Sequence, residues 1–238
     1  MSIQPKADPP WLFDEYRDAR WQDAAAAEAY EKTLGTDRAT ERELLQSLGL
    51  SSEHTLIDFG AGTGVLALEA ASICRSVIAV DVYAAMLEYM RAKATARGIS
   101  NIEYVKKGFL TYRHEGELVD FAVTRHTLHH LPDFWKVEAL RRVYAVLKPG
   151  GVFHLRELVY SFEPADAADA IDRWIASVPS ESSAPFSRAF FEEHVREKYS
   201  TYSWLFEEML RKVGFEIESV EYSDVQAHAR YLCVKPKA

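Results

Sequence analysis

The stretch Leu56-Ile-Asp-Phe-Gly-Ala-Gly-Thr-Gly-Val-Leu-Ala-Leu68 constrains this chain more than any other. Leu56, Ile57 and Phe59 around Asp58 read as a buried strand, and Gly60, Gly62 and Gly64 as a tight turn. From Thr63 the apolar spacing becomes helical. Glycine admits positive φ and lets a backbone approach a ligand closely, while a helix start directs free N–H groups at it. Val77-Ile-Ala-Val80 reads as the next strand and stops at Asp81. That acid follows the turn by about twenty residues, where a nucleotide-binding βαβ unit carries the carboxylate for the ribose hydroxyls.

The spacing also separates cofactors. A dinucleotide fingerprint needs its third glycine one position later, where this chain has Val65. At this point the chain resembles the class I S-adenosylmethionine (SAM)-dependent methyltransferases, whose first motif reads acid-x-Gly-x-Gly-x-Gly. Asp81 with Val82 resembles the second motif of that family, and Phe121-Ala-Val-Thr-Arg-His-Thr-Leu-His-His-Leu-Pro-Asp133 its fourth. Leu147-Lys-Pro-Gly-Gly151 resembles its turn before strand five. The resemblance covers roughly residues 40 to 238, and the last two motifs are similar to the small-molecule (UbiE/type 11-like) branch.

Along the chain, residues 37–49 read as a helix with Leu44, Leu45 and Leu48 on one face and Gly49 as its stop. Further helices are expected at Thr63–Cys74, Tyr83–Ala96, Asp133–Leu147 and Trp204–Val213. Strands are expected at Ile102–Val105, Leu118–Thr124, Val152–Val159, Phe215–Val220 and Arg230–Val234. Alternating strands and helices with short connections imply a doubly wound parallel sheet. The closing pair, separated by few residues, implies an antiparallel hairpin. The expected fold is therefore α/β and Rossmann-like, with seven strands, five of them parallel. Residues 1–238 are read as one domain. Residues 1–36, rich in aromatics, and the segment 160–203, interrupted by Ser177-Val-Pro-Ser-Glu-Ser-Ser-Ala-Pro185, are read as lids over a pocket.

A net charge of −8 without a basic run argues against a nucleic-acid partner. No segment approaches the roughly 20 apolar residues of a membrane span, and the first residues lack an apolar signal core. With Cys74 and Cys233 far apart, two reduced, buried thiols and a cytoplasmic location are expected.

Ligands of open α/β sheets bind beyond the carboxyl ends of the strands. By resemblance, the cofactor site comprises Asp58, Gly60, Ala61, Gly62, Gly64, Asp81, Val82, Met86, Gly108, Phe109 and Arg125. Asp58 would orient the turn and the cofactor's amino group, Asp81 would accept the ribose hydroxyls, and Val82 and Met86 would flank adenine. One position departs from the family: the acid that commonly follows strand three is absent from Lys106-Lys-Gly-Phe-Leu110, and Phe109 is expected to stack on adenine in its stead. Trp11, Tyr16, Trp21 and Tyr202 are substrate or lid candidates. His129 and Glu157 are acid–base candidates, with a hydrogen-bonded structural pair as the competing reading. His126, His129 and His130 lack a Cys, Asp or Glu at ligand spacing, so no metal is expected. The expected activity is methyl transfer from SAM to a small-molecule acceptor. A SAM-binding regulator without turnover and a nicotinamide-dependent oxidoreductase are the rivals.

Overall fold

The computed structural model describes residues 8–16, 19–34, 38–178 and 187–237. Most of the Pro- and Ser-containing stretch therefore lies outside the described residues.

Helix α1 (Ala24–Leu34) starts where the Asp23 carboxylate accepts from Ala26 N at 2.8 Å. Helix α2 (Arg38–Ser47) buries Leu45 and Glu41 on its inner face. Strand β1 (Thr55–Phe59) follows, then α3 (Val65–Ala71), β2 (Ser76–Asp81), α4 (Ala84–Ala96), β3 (Ile102–Lys106) and β4 (Val119–Arg125). Helix α5 (Asp133–Val146) leads into β5 (Leu147–Glu157). Helix α3 begins two residues later than the sequence implied and ends three earlier. Gly64 caps it at φ 82°, a left-handed value that cannot belong to the helix itself.

The segment after β5 folds as β6 (Val159–Tyr160), α6 (Ala167–Ala176), α7 (Arg188–Glu197) and β7 (Thr201–Tyr202), with β6 and β7 pairing in parallel. Helix α8 (Ser203–Val213) then ends at Gly214, and β8 (Glu216–Tyr222) and β9 (Ala229–Val234) close the chain.

The main sheet runs β3-β2-β1-β4-β5-β9-β8. Its first five strands are parallel, and β9 inserts antiparallel between β5 and β8. This is the expected seven-stranded fold. Two apolar layers cover the sheet. One holds Leu45, Leu56, Leu66, Leu68 and Met90 from α2, β1, α3 and α4; the other holds Phe59, Leu140, Val143, Phe153, Phe206 and Tyr231 under α5 and α8. Cys74 and Cys233 are buried free thiols, as expected. No helix among the described residues is long and apolar enough to cross a membrane.

Candidate active site

Strand order reverses between β1 and β4, so the crevice beyond their carboxyl ends is the switch point of the sheet. The glycine turn sits there. Gly60 N and Ala61 N both donate to Val80 O, at 2.8 and 3.1 Å, which ties the turn to β2. Gly62 N donates to Asp81 Oδ2 at 2.8 Å, and Tyr83 N donates to Oδ1 at 2.9 Å. Asp81 thus holds both the turn and the start of α4. Val82 N donates as well, so of the carboxylate's roughly four acceptor sites about one is left for a ligand hydroxyl. Burial pushes Asp81 up to about 6 against the opposing pull of its backbone donors.

Asp58, one residue before the end of β1, is pushed up to about 7 by burial, with the Arg125 charge pulling it down and Asp81 and Glu41 adding to the rise. Two buried carboxylates with raised pKa values at a switch point suit a ligand that brings a cation and hydroxyl donors.

Arg125 ends β4, but its guanidinium is engaged on both arms by Glu41 of α2, with Nη1 at 2.6 Å from Oε1. The bond fastens α2 to the sheet edge, so this cofactor candidate acts in the structure as a clamp for Glu41. Tyr30 of α1 covers the turn: a Cβ on Gly62 would lie 3.8 Å from its ring. Burial first, then the Asp81 charge, raises its phenol to about 12, while Arg125 opposes the rise. Trp21 meets Tyr30 edge-on at 5.1 Å and so reaches the site through that ring.

Glu157, at the end of β5, organises the loop after β4. Its Oε2 accepts from Thr127 N at 3.0 Å and Leu128 N at 2.6 Å, and its Oε1 from Leu158 N at 2.7 Å. His129 Nδ1 lies 2.6 Å from the same Oε1. With three backbone N–H groups donating to it, the Glu157 carboxyl is the acceptor, so the imidazole proton is assigned to Nδ1 and the lone pair to Nε2. Burial holds His129 well below the usual histidine range, and the neighbouring His194 adds to the shift. The two acid–base candidates are therefore together, in a bonded pair beneath α7, where the His129 ring lies 4.8 Å from His194. Thr127 extends this hub to the glycine turn, since a Cβ on Gly60 would fall on its side chain. His126, beside it, has left-handed backbone at φ 50° and a buried Nδ1 with no hydrogen-bond partner. No group of three or more His, Cys, Asp or Glu among the described residues could hold a metal ion.

Other candidates fall elsewhere. Phe109 does not stack on a ligand face; it is buried against Phe59 at 4.9 Å and 13° between planes, part of the layer under α5. Its position after the β3 edge turns the ring into the core. Gly108 meets the carboxyl group of Glu15 instead. Met86 is buried and Val82 half-buried on the Asp81 side of the crevice. Trp11, largely exposed, lies against Trp135 of α5 at 6.2 Å, and the Tyr16 phenol bonds the Thr111 side chain. Tyr202 packs on Phe162 and Trp204 in the segment after β5. Tyr30, Glu41 and Glu15 were not singled out by the sequence. Only the aromatic density around Trp21 and Tyr30 hinted at the first.

Residues 56–151 match the family described as "Methyltransferase domain". The match spans less than half of the chain. The match supports S-adenosylmethionine as the cofactor, in agreement with the glycine spacing and the paired carboxylates. The domain is similar to the uncharacterized methyltransferase YcgJ of Bacillus subtilis, 26% identical over 77% of this chain and 63% of that protein. It is also similar to the ubiquinone/menaquinone biosynthesis C-methyltransferase UbiE of Pectobacterium carotovorum, 30% identical over 50% of this chain and 48% of that protein. The chain thus spans from about half to under two thirds of the length of these relatives. Among solved structures, the CcbJ methyltransferase of Streptomyces caelestis shares the fold, with TM-score 0.68 and 16% identity over 95% of this chain and all of that one.

Proposed function

We propose that the chain, acting as one unit, transfers the methyl group of SAM to a small-molecule acceptor by in-line displacement. The observation that carries the reading is the cover over the carboxyl edge. Tyr30 lies across the glycine turn, while the segment after β5 closes on the loop after β4: Tyr199 N donates to His129 O at 2.8 Å, and Lys136 Nζ donates to Tyr199 O. Segments packed over that edge suit a metabolite better than a polymer, and the net charge of −8 disfavours a nucleic acid. The names of the UbiE relatives, from quinone biosynthesis, point to the same class of acceptor.

Asp58 and Asp81 fit the cofactor, since two buried carboxylates beside the glycine turn match the ammonium of an amino acid and the hydroxyls of a ribose. Bound there, SAM supplies a methyl group on a sulfonium, an electrophile that needs no further activation. The chain's own contribution is positional. Asp81 and Asp58 fix one reactant, the cover excludes water, and holding an acceptor in line contributes about 7–11 kcal/mol through proximity. Glu157 serves as the positioning residue of the histidine loop and fixes the His129 tautomer, with Nε2 as its basic edge, while burial keeps the imidazole neutral. The described parts of residues 1–36 and 160–203 form the cover.

The test is a transfer assay with methyl-labelled SAM against small phenols, quinols and amines, with tRNA and bulk protein in parallel. Label in a small molecule supports the reading. Label only in macromolecules contradicts it.

A further inference from the structure

Gly108 leaves the end of β3 without a side chain, yet a carboxyl group stands where that side chain would be. A Cβ built on Gly108 would fall on the carboxyl carbon and both oxygens of Glu15. Glu15 lies 93 positions earlier in the sequence, in the arm before α1. Its Oε2 accepts from Leu110 N at 3.0 Å, and Phe109 N also donates to the carboxylate. The arm is held there at several points. Asp8 pairs with Arg113 at 3.2 Å, the Tyr16 phenol bonds Thr111, and Phe13 packs on Trp135 and Tyr199. Gly108 is not in the left-handed region, so room for Glu15, rather than backbone conformation, explains the glycine.

The place of this carboxyl group in the sheet gives it a use. Asp81 pairs in register with Lys106, so Gly108 stands two residues beyond the ribose-binding row, one strand further from the switch point. A nucleoside anchored by its ribose at Asp81 and by its amino acid at Asp58 directs its base toward that edge. Two backbone donors use about half of the acceptor sites of Glu15. Burial raises its pKa to about 7, although the Phe109 and Leu110 donors and the Arg142 charge pull it down, and such a carboxyl gains from a further donor.

Resting on the cofactor reading above, we propose that Glu15 is the base-recognition residue of this enzyme: its carboxylate, supplied by the N-terminal arm in place of a side chain on β3, accepts from the exocyclic amino group of adenine. The arm is thereby part of the cofactor site, and base selectivity depends on its docking.

The experiment uses the full chain and two nucleosides, S-adenosylhomocysteine and S-inosylhomocysteine, in which a carbonyl oxygen replaces the amino group. Titration calorimetry of the unaltered protein is expected to show about tenfold tighter binding of the adenine form, the scale of one hydrogen bond to a charged acceptor. Glu15→Ala should reduce that preference to about twofold or less. Gly108→Ala should do the same by displacing the carboxyl group without touching Glu15, and Glu15→Ala with Gly108→Asp should restore it by returning the acid to β3. Thermal melting of each variant with saturating ligand confirms that it is folded. Unchanged preference in both single variants overturns the proposal, as does tighter S-adenosylhomocysteine binding in Glu15→Ala, which would make the arm a plug. Failure of the unaltered protein to bind either nucleoside overturns the cofactor reading itself, and this assignment with it.

Discussion

Removing the Glu157 carboxylate tests the hub on which the loop after β4 depends. The side chain is 1% exposed and receives four donors: the backbone N–H groups of Thr127, Leu128 and Leu158, and His129 Nδ1. In Glu157→Ala the imidazole can move its proton to Nε2, but the three backbone donors cannot adapt. Each buried donor left unmet costs about 1–3 kcal/mol. The alanine variant should therefore lose at least about 3 kcal/mol, a large part of the 5–15 kcal/mol typical of a domain. Glu157→Gln is a graded control. Its amide oxygen can face Thr127 and Leu128, its NH2 can donate to His129 Nδ1 once the imidazole proton has moved to Nε2, and only Leu158 N is left unmet, for a loss of about 1–3 kcal/mol. Guanidinium unfolding followed by tryptophan fluorescence reads the ladder of wild type, Gln and Ala. Because Thr127 abuts Gly60, cofactor affinity should fall in the same order. An alanine variant within 1 kcal/mol of wild type would refute the hub. A fully stable Gln variant with intact cofactor binding but no turnover would show Glu157 to be catalytic.

Three further outcomes are expected. Gly64→Ala places a Cβ on the fully buried Met90 side chain at φ 82° and should destabilise by about 2–4 kcal/mol, combining left-handed strain with overpacking, as measured by chemical denaturation. Glu41→Gln leaves the largely buried Arg125 guanidinium without its counter-charge and should cost about 1.5–3 kcal/mol, with a drop in melting temperature that Glu41→Asp partly reverses. S-adenosylhomocysteine binding should weaken at least about tenfold from pH 7.5 to 5.5, because Asp58 (about 7) and Asp81 (about 6) must be ionised to receive the ligand's ammonium and hydroxyls, and each protonation can cost up to about tenfold per pH unit. The effect should shrink in Asp58→Asn; a flat profile would contradict it.

What the sequence revealed was what lies close along the chain. The glycine turn, Asp81 and the closing hairpin are written in short-range patterns of strand, turn and cap, and the sheet order follows from them. The start of α3 was misplaced by two residues because apolar spacing continues through a turn whose last glycine is left-handed. Phe109 was read from its place beyond β3, but the direction of its ring is set by Phe59, a partner on another strand. Glu15, Glu41 and Tyr30 reach the site over separations of 95, 84 and 32 positions from Leu110, Arg125 and Gly62, and no local pattern encodes such docking. The His129–Glu157 pair was nominated by strand ends alone, but only the three backbone donors on Glu157 distinguish a hub from an acid–base dyad.

The central claim is that the Asp58–Gly64 turn and Asp81 hold an S-adenosyl cofactor. Its most direct test is calorimetric titration of the purified chain with S-adenosylhomocysteine and, separately, NADH, with Asp81→Ala in parallel. Micromolar binding of S-adenosylhomocysteine alone, lost in the Asp81 variant, is the predicted result. Binding of NADH, or of neither ligand, would contradict the account.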